Sequence, residues 1–257
     1  MLLVIDVGNT NTVFALYEGE ALKQSWRCET NPLRTGDEYA AWLFQAFQIE
    51  GLNFKSVNDM IVSSVVPDTN FNLKNLGQRY FNVDVIFVGV ENVKTLIDIS
   101  IDHPHQAGAD LLVNAIGCSK HHSTDAIIVD FGTATTLSVI TKSGGYGGGI
   151  IAPGINLSLS ALTQAAAKLP KIDIQKPPQV RGTNTVHAMQ SGIFWGYASM
   201  VEGLITRLQH ENGDHLKVVV TGGLGKILGT QIKNIDVIDD DLTLKGLLEI
   251  YNKQKKV

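Results

Sequence analysis

Leu2-Leu3-Val4-Ile5-Asp6-Val7-Gly8-Asn9-Thr10 and Ala126-Ile127-Ile128-Val129-Asp130-Phe131-Gly132-Thr133-Ala134 are one device written twice in the same chain. In each, a continuous apolar run, the pattern of a strand buried on both faces, is closed by Asp-x-Gly with a threonine close behind. The two aspartates are 124 residues apart, about half the chain, which reads as an internal duplication. After the first copy, 12–17 continues as a second strand and Glu18-Gly19-Glu20 turns it into a third. After the second, a strand at 136–140 enters a hairpin through Ser143-Gly144-Gly145. Helical spacing is predicted over 37–49, 70–80, 109–121, 156–167, 185–210 and 242–252, with strands at 60–66, 83–88 and 217–220. Strands alternating with helices give an α/β class, and the repeat divides the chain into two domains, 1–115 and 116–257.

Composition narrows the function classes. The 257 residues carry 21 basic and 25 acidic side chains, a formal charge of −4, with 44% hydrophobic and 18% charged residues. That excludes a disordered chain, and no basic excess marks nucleic acid or an anionic membrane as a partner. Cys28 and Cys118 have no C-x-x-C spacing, so neither a disulfide framework nor a zinc site is supported, and a reducing cytoplasm fits. The opening apolar run meets Asp6 without a basic n-region, and no uncharged stretch reaches the roughly 18 to 20 residues that span a bilayer. A soluble, cytoplasmic protein is expected.

The duplicated turn suits phosphate and a metal ion. Gly8 lets backbone N–H groups approach an anion, Thr10 and Thr12 carry hydroxyls, and a carboxylate at a strand end can hold Mg²⁺. Thr221-Gly222-Gly223 follows the apolar strand 218–220, where glycine permits close approach to a ligand and equally serves an ordinary strand-to-helix turn. There is no G-x-x-x-x-G-K-[ST], G-x-G-x-x-G or G-x-S-x-G motif. Asp110, in Gly108-Ala109-Asp110, is either a helix cap or a general base for an attacking hydroxyl. The seven histidines show no metal-ligand spacing; His103 and His105 flank Pro104 near Asp110 and are candidates for binding.

Taken together, D-V-G-N-T at 6–10, S-S-V-V-P at 63–67, G-A-D at 108–110 with Asn114, D-F-G-T-A-T-T at 130–136, G-G-G-I-I-A-P-G at 147–154, K-L-P at 168–170 and M-Q-S-G at 189–192 resemble the type III pantothenate kinase family. The resemblance implies two ribonuclease H-like domains of the acetate and sugar kinase/Hsp70/actin type with an interdomain cleft, assembled as a homodimer. It implies transfer of the γ-phosphoryl group of ATP to pantothenate, the first step of coenzyme A synthesis, with Mg²⁺ and a monovalent cation, K⁺ or NH₄⁺. Carried over by position, Asp6, Val7, Gly8, Asn9, Thr10, Asn11, Thr12 and Val13 form the ATP phosphate loop and Thr133 contacts ATP. Asp110 is the proton acceptor, Gly108, Ala109, Asp110, Leu111 and Thr185 meet pantothenate, and Asp130 binds the monovalent cation.

The chain departs from the family pattern on the acceptor side. Leu111 stands where the family usually has arginine, Ile101 where it has tyrosine, His103 where it has asparagine and Ala166 where it has threonine. These changes keep two alternatives in view: a kinase of the same fold acting on another small hydroxylated metabolite, and a nucleotide-binding regulatory homologue.

Overall fold

The computed structural model describes residues 1–166, 168–213 and 215–255. Its first sheet is built from β1 (Leu2–Val7), β2 (Asn11–Glu18), β3 (Ala21–Glu29), β4 (Asp59–Ser64) and β5 (Val85–Phe87), with helices α1 (Gly36–Ile49), α2 (Asn70–Leu76), α3 (Val90–Val93) and α4 (Ala109–His121). Strand order is β3-β2-β1-β4-β5: β1 pairs antiparallel with β2 and parallel with β4, which in turn pairs parallel with β5. A second sheet contains β6 (Ala126–Phe131), β7 (Ala134–Ile140), β8 (Tyr146–Pro153), β9 (Lys217–Thr221) and β10 (Val237–Ile238), accompanied by α5 (Ile155–Ala165), α6 (Thr185–Asn212) and α7 (Gly225–Gly229). Its order, β10-β9-β6-β7-β8, repeats the first strand for strand, with the same senses of pairing. The duplication read from the two Asp-x-Gly turns is therefore a duplication of topology.

Each unit closes over its own core. Leu3, Ile5 and Phe14 pack with Tyr39, Leu43 and Phe47 of α1 and with Leu73 and Leu76 of α2. In the other unit, Ile127, Val129 and Leu137 pack with Phe194, Val201 and Ile205 of α6. Because Val4 and Ile61, or Ile128 and Val219, are buried as well, both faces of the central strands are covered, as their unbroken apolar runs require. Thr35 opens α1 with a full capping box: its side chain accepts from Glu38 N–H while the Glu38 carboxylate accepts from Thr35 N–H at 2.8 Å. A cap of this kind contributes about 1 kcal/mol.

Several expectations shift in detail. The helix expected over 70–80 ends as α2 at Leu76 and continues as a π-helical turn over Gly77–Phe81, stopped by Asn82 in the left-handed region. Residue 167, the last of the helix expected over 156–167, lies outside the described residues, and α5 ends at Ala165. The larger change concerns the domains. The chain divides into Met1–Lys120 joined by the C-terminal segment from Thr243, and His121–Leu242. The last helix, α8 (Leu242–Gln254), thus belongs with the first unit, whereas a single cut after residue 115 puts it in the second. Its place is fixed by contact with α4: the Thr243 hydroxyl donates to Asn114 Oδ1 at 2.7 Å, and a methyl group on Gly246 would lie 2.1 Å from the Val113 carbonyl oxygen.

That contact leaves no room for a side chain at position 246. Gly246→Ala is expected to force α8 off α4 and to lower the stability of the chain by about 1 to 3 kcal/mol, the usual cost of overpacking. Urea unfolding checks this: the midpoint falls with the slope unchanged.

Candidate active site

The two repeated turns differ by one residue. Pairing of β1 with β2 ends at Val7 opposite Thr12, leaving Gly8-Asn9-Thr10-Asn11 as a four-residue turn closed by a 3.0 Å bond from Gly8 N–H to the Asn11 carbonyl. Pairing of β6 with β7 ends at Phe131 opposite Thr135, leaving Gly132-Thr133-Ala134, closed by Gly132 N–H to the Ala134 carbonyl at 3.0 Å. Asp6 and Asp130 sit one residue before these ends, each half-buried, opposite Ser63 of β4 and Thr221 of β9 respectively.

In the first turn Asn9, Thr10 and Asn11 are exposed, and Asp6 and Gly8 are half-buried. Val7 is 1% exposed and belongs to the core, so only its backbone can face a ligand. Thr12 corrects the sequence reading. It is fully buried, its hydroxyl lies 2.8 Å from that of Thr30, and it supports the turn from behind. Val13 continues β2 between Asp6 and Arg27. Thr30 itself escaped the sequence reading; its hydroxyl donates to the Gly8 carbonyl at 2.7 Å and its N–H to the Thr10 carbonyl at 2.9 Å.

Two distant glycines hold the second turn. A methyl group on Gly154 would lie 2.0 Å from the Thr133 carbonyl oxygen, and one on Gly222, where φ is +89°, would lie 2.4 Å from Asp130 Oδ1. Both G-G-G-I-I-A-P-G and Thr221-Gly222-Gly223 therefore end against Asp130-Phe131-Gly132-Thr133, which leaves Thr133 exposed at the tip.

Gly108, Ala109, Asp110 and Leu111 lie together at the start of α4, all half-buried. Asp110 is in the first turn of the helix rather than before it. Its Oδ1 accepts from Leu111 N–H at 2.8 Å, and a methyl group on Gly108 would sit 2.5 Å from that oxygen. Burial pushes the Asp110 carboxyl above the usual carboxylate range, and the backbone N–H groups of Leu111 and Asp110 offset the shift in part. His103 and His105 are exposed on either side of Pro104, with ring centroids 5.9 Å apart, while Ile101 is half-buried.

In the other unit, Thr185 is the first residue of α6, which Asn184 caps by accepting from His187 N–H at 2.9 Å. It lines a cavity of about 730 Å³ together with Thr183, Asn184, Leu162, Leu169 and Met189. Thr183 and Asn184 were not singled out from sequence, although Thr183-Asn184-Thr185 carries three polar side chains at a helix start. Among the described residues, no group of three or more His, Cys, Asp or Glu is placed to hold a metal ion.

The model of the type III pantothenate kinase family matches residues 2–207. The chain belongs to the type III pantothenate kinase family. A type III pantothenate kinase of Phenylobacterium zucineum is 50% identical over 255 residues, covering 99% of this chain and 99% of its own. That of Caulobacter vibrioides is 49% identical, with 98% and 97% covered, and that of Halalkalibacterium halodurans 47%, with 98% and 99% covered. Among solved structures, a Baf family protein of Campylobacter jejuni superposes with a TM-score of 0.62 at 19% identity, covering 99% of this chain and 100% of its own. The activator of the 2-hydroxyisocaproyl-CoA dehydratase of Clostridium difficile, with bound ADPNP, gives 0.54 at 15% identity, covering 100% and 97%. The two five-stranded units have the acetate and sugar kinase/Hsp70/actin type of fold that these likenesses share.

Asp110 and Gly222 each yield a stability test. A carboxylate whose folded pKa is raised makes the native state bind more protons than the unfolded state, so stability falls as pH rises from the unfolded to the folded value. Asp110→Asn retains an acceptor for Leu111 N–H and is expected to match or exceed the wild type in thermal midpoint at pH 8, with no such advantage at pH 3. Gly222→Ala, by contrast, displaces the Asp130 carboxylate and is expected to lower stability by about 1 to 3 kcal/mol in a urea titration.

Proposed function

We infer that this chain transfers the γ-phosphoryl group of ATP to pantothenate, giving 4'-phosphopantothenate for coenzyme A synthesis. The observation that carries this is the match over nearly the whole chain, at 46 to 50% identity, to type III pantothenate kinases. We assign the base to Asp110. Its carboxylate is withdrawn from water, which strengthens it as a proton acceptor. In the transfer, the acceptor hydroxyl oxygen bonds to the γ-phosphorus as the bond from that phosphorus to the ADP oxygen breaks, and the hydroxyl proton passes to Asp110.

The exposed turn at Asn9, Thr10 and Asn11 would take the ATP phosphates, with Asp6 beside it. One or two carboxylates with substrate phosphate oxygens are a donor set that Mg²⁺ takes. Mg²⁺ would neutralise charge on those oxygens. Asp130, backed by Gly222, would hold the monovalent cation, K⁺ or NH₄⁺, and Thr133 would contact ATP. Thr185 and its cavity would receive part of pantothenate. A homodimer working in the cytoplasm completes the assignment.

Leu111 and Ile101 favour a second reading, a kinase for another hydroxylated acceptor, because neither can pair with a carboxylate. ADP release with ATP and Mg²⁺, measured with pantothenate and with a panel of small hydroxylated acids, separates the two: release with another acid only overturns pantothenate as substrate. Equal rates in Na⁺ and K⁺ at matched ionic strength overturn the cation role of Asp130.

Asp110→Asn is expected to lower kcat by roughly 10² to 10⁴ while ATP affinity holds. The wild-type rate falls as pH drops through the raised Asp110 pKa, and this acid limb disappears from the residual activity of the variant. Leu111→Arg adds a charge-assisted donor and is expected to lower the KM for pantothenate roughly tenfold or more, with the KM for ATP unchanged in the same steady-state assay.

A further inference from the structure

We propose that Thr30 is a positioning residue for phosphoryl transfer: it sets the peptide planes of the first turn so that two backbone N–H groups face the ATP phosphates. The proposal rests on the assignment of that turn to ATP.

The order of hydrogen bonds follows from proton count. A threonine hydroxyl has one proton, and that of Thr30 goes to the Gly8 carbonyl at 2.7 Å. The 2.8 Å contact between the Thr12 and Thr30 hydroxyls must then run from Thr12 as donor to Thr30 as acceptor. The result is a directed chain, Thr12 O–H to Thr30 Oγ1, and Thr30 O–H to Gly8 C=O. Thr12, fully buried, has no proton left for a phosphate. Thr30 N–H also donates to the Thr10 carbonyl at 2.9 Å.

In a trans peptide the C=O and the following N–H point in opposite directions. With the Gly8 and Thr10 carbonyls both turned to Thr30, the N–H groups of Asn9 and Asn11 point away from it. Asn9 and Asn11 are both exposed. Backbone N–H groups aimed to one side of a turn can hold an anion, here the alternate pair of Asn9 and Asn11, and their use in the transition state depends on being fixed beforehand. The second turn, one residue shorter, is braced instead by the close approach of Gly154 to the Thr133 carbonyl. The longer first turn uses a side chain for that purpose.

Thr30→Val keeps the shape and the backbone bond to Thr10 but removes the hydroxyl; Thr30→Ser keeps the hydroxyl. Gly8→Val serves as the control for the turn, since even a methyl group there meets the Asn11 carbonyl at 3.2 Å. Steady-state kinetics and thermal midpoints are measured for all three variants of this chain. Thr30→Val is expected to raise the KM for ATP roughly 5- to 30-fold, the effect of one or two hydrogen bonds, with the KM for pantothenate within twofold. Thr30→Ser is expected to restore ATP affinity to within about threefold of wild type. A lower thermal midpoint in Thr30→Val with an unchanged KM for ATP overturns the proposal, because a purely structural threonine behaves that way. If Gly8→Val raises the KM for ATP and Thr30→Val does not, the turn binds ATP and the role of Thr30 alone is refuted. If neither changes it, the assignment of the turn is wrong and the proposal falls with it.

Discussion

A strand buried on both faces can carry a carboxylate only where it leaves the sheet, and the rest of this molecule is arranged around two such exits. β1 and β6 are hydrogen-bonded on both edges and covered on both faces, so charge inside them would lose its hydration without a partner. Asp6 and Asp130 stand one residue before the ladder with the next strand ends, half-buried beside a serine or threonine of the neighbouring parallel strand. From there each carboxylate is only partly withdrawn from water. Rigid elements thereby deliver a charge to the start of each turn, and the turns supply the polar backbone.

The two units use this exit differently. In the first, polar side chains organise the turn, with Thr12 and Thr30 stacked behind exposed Asn9, Thr10 and Asn11. In the second, glycines do so by absence: Gly154 and Gly222 let other segments close on the turn until backbone meets backbone. Duplication preserved the strand order while the two turns diverged, as expected if only the sheets are constrained by packing.

Much of this was legible in the chain because apolar runs and Asp-x-Gly turns are local signals. α4 begins and ends where its spacing placed it, at Ala109 and His121, and the central strands start with their apolar runs, at Leu2 and Ala126, and run two residues past Ile5 and Val129. What was not legible is pairing across distance. Thr12 carries a hydroxyl in any reading, but nothing near it says that Thr30 lies opposite and takes its proton. The apolar stripe of α8 announces that the helix is buried, not in which core; Gly246 against Val113 decides that, more than 130 residues apart. β10, with two residues, is too short for any periodicity.

The return of α8 to the first unit also bears on how the chain is made. Synthesis runs from the N-terminus, so the segment that completes the first unit emerges only after the whole of 121–242. At roughly 5 to 20 residues per second, this is a delay on the order of 6 to 24 s. During it, the surface of α4 destined for α8 waits uncovered, while the intervening unit has all of its own strands and helices and can close first. On the ribosome, the unit that starts earlier is finished after the one inserted in it.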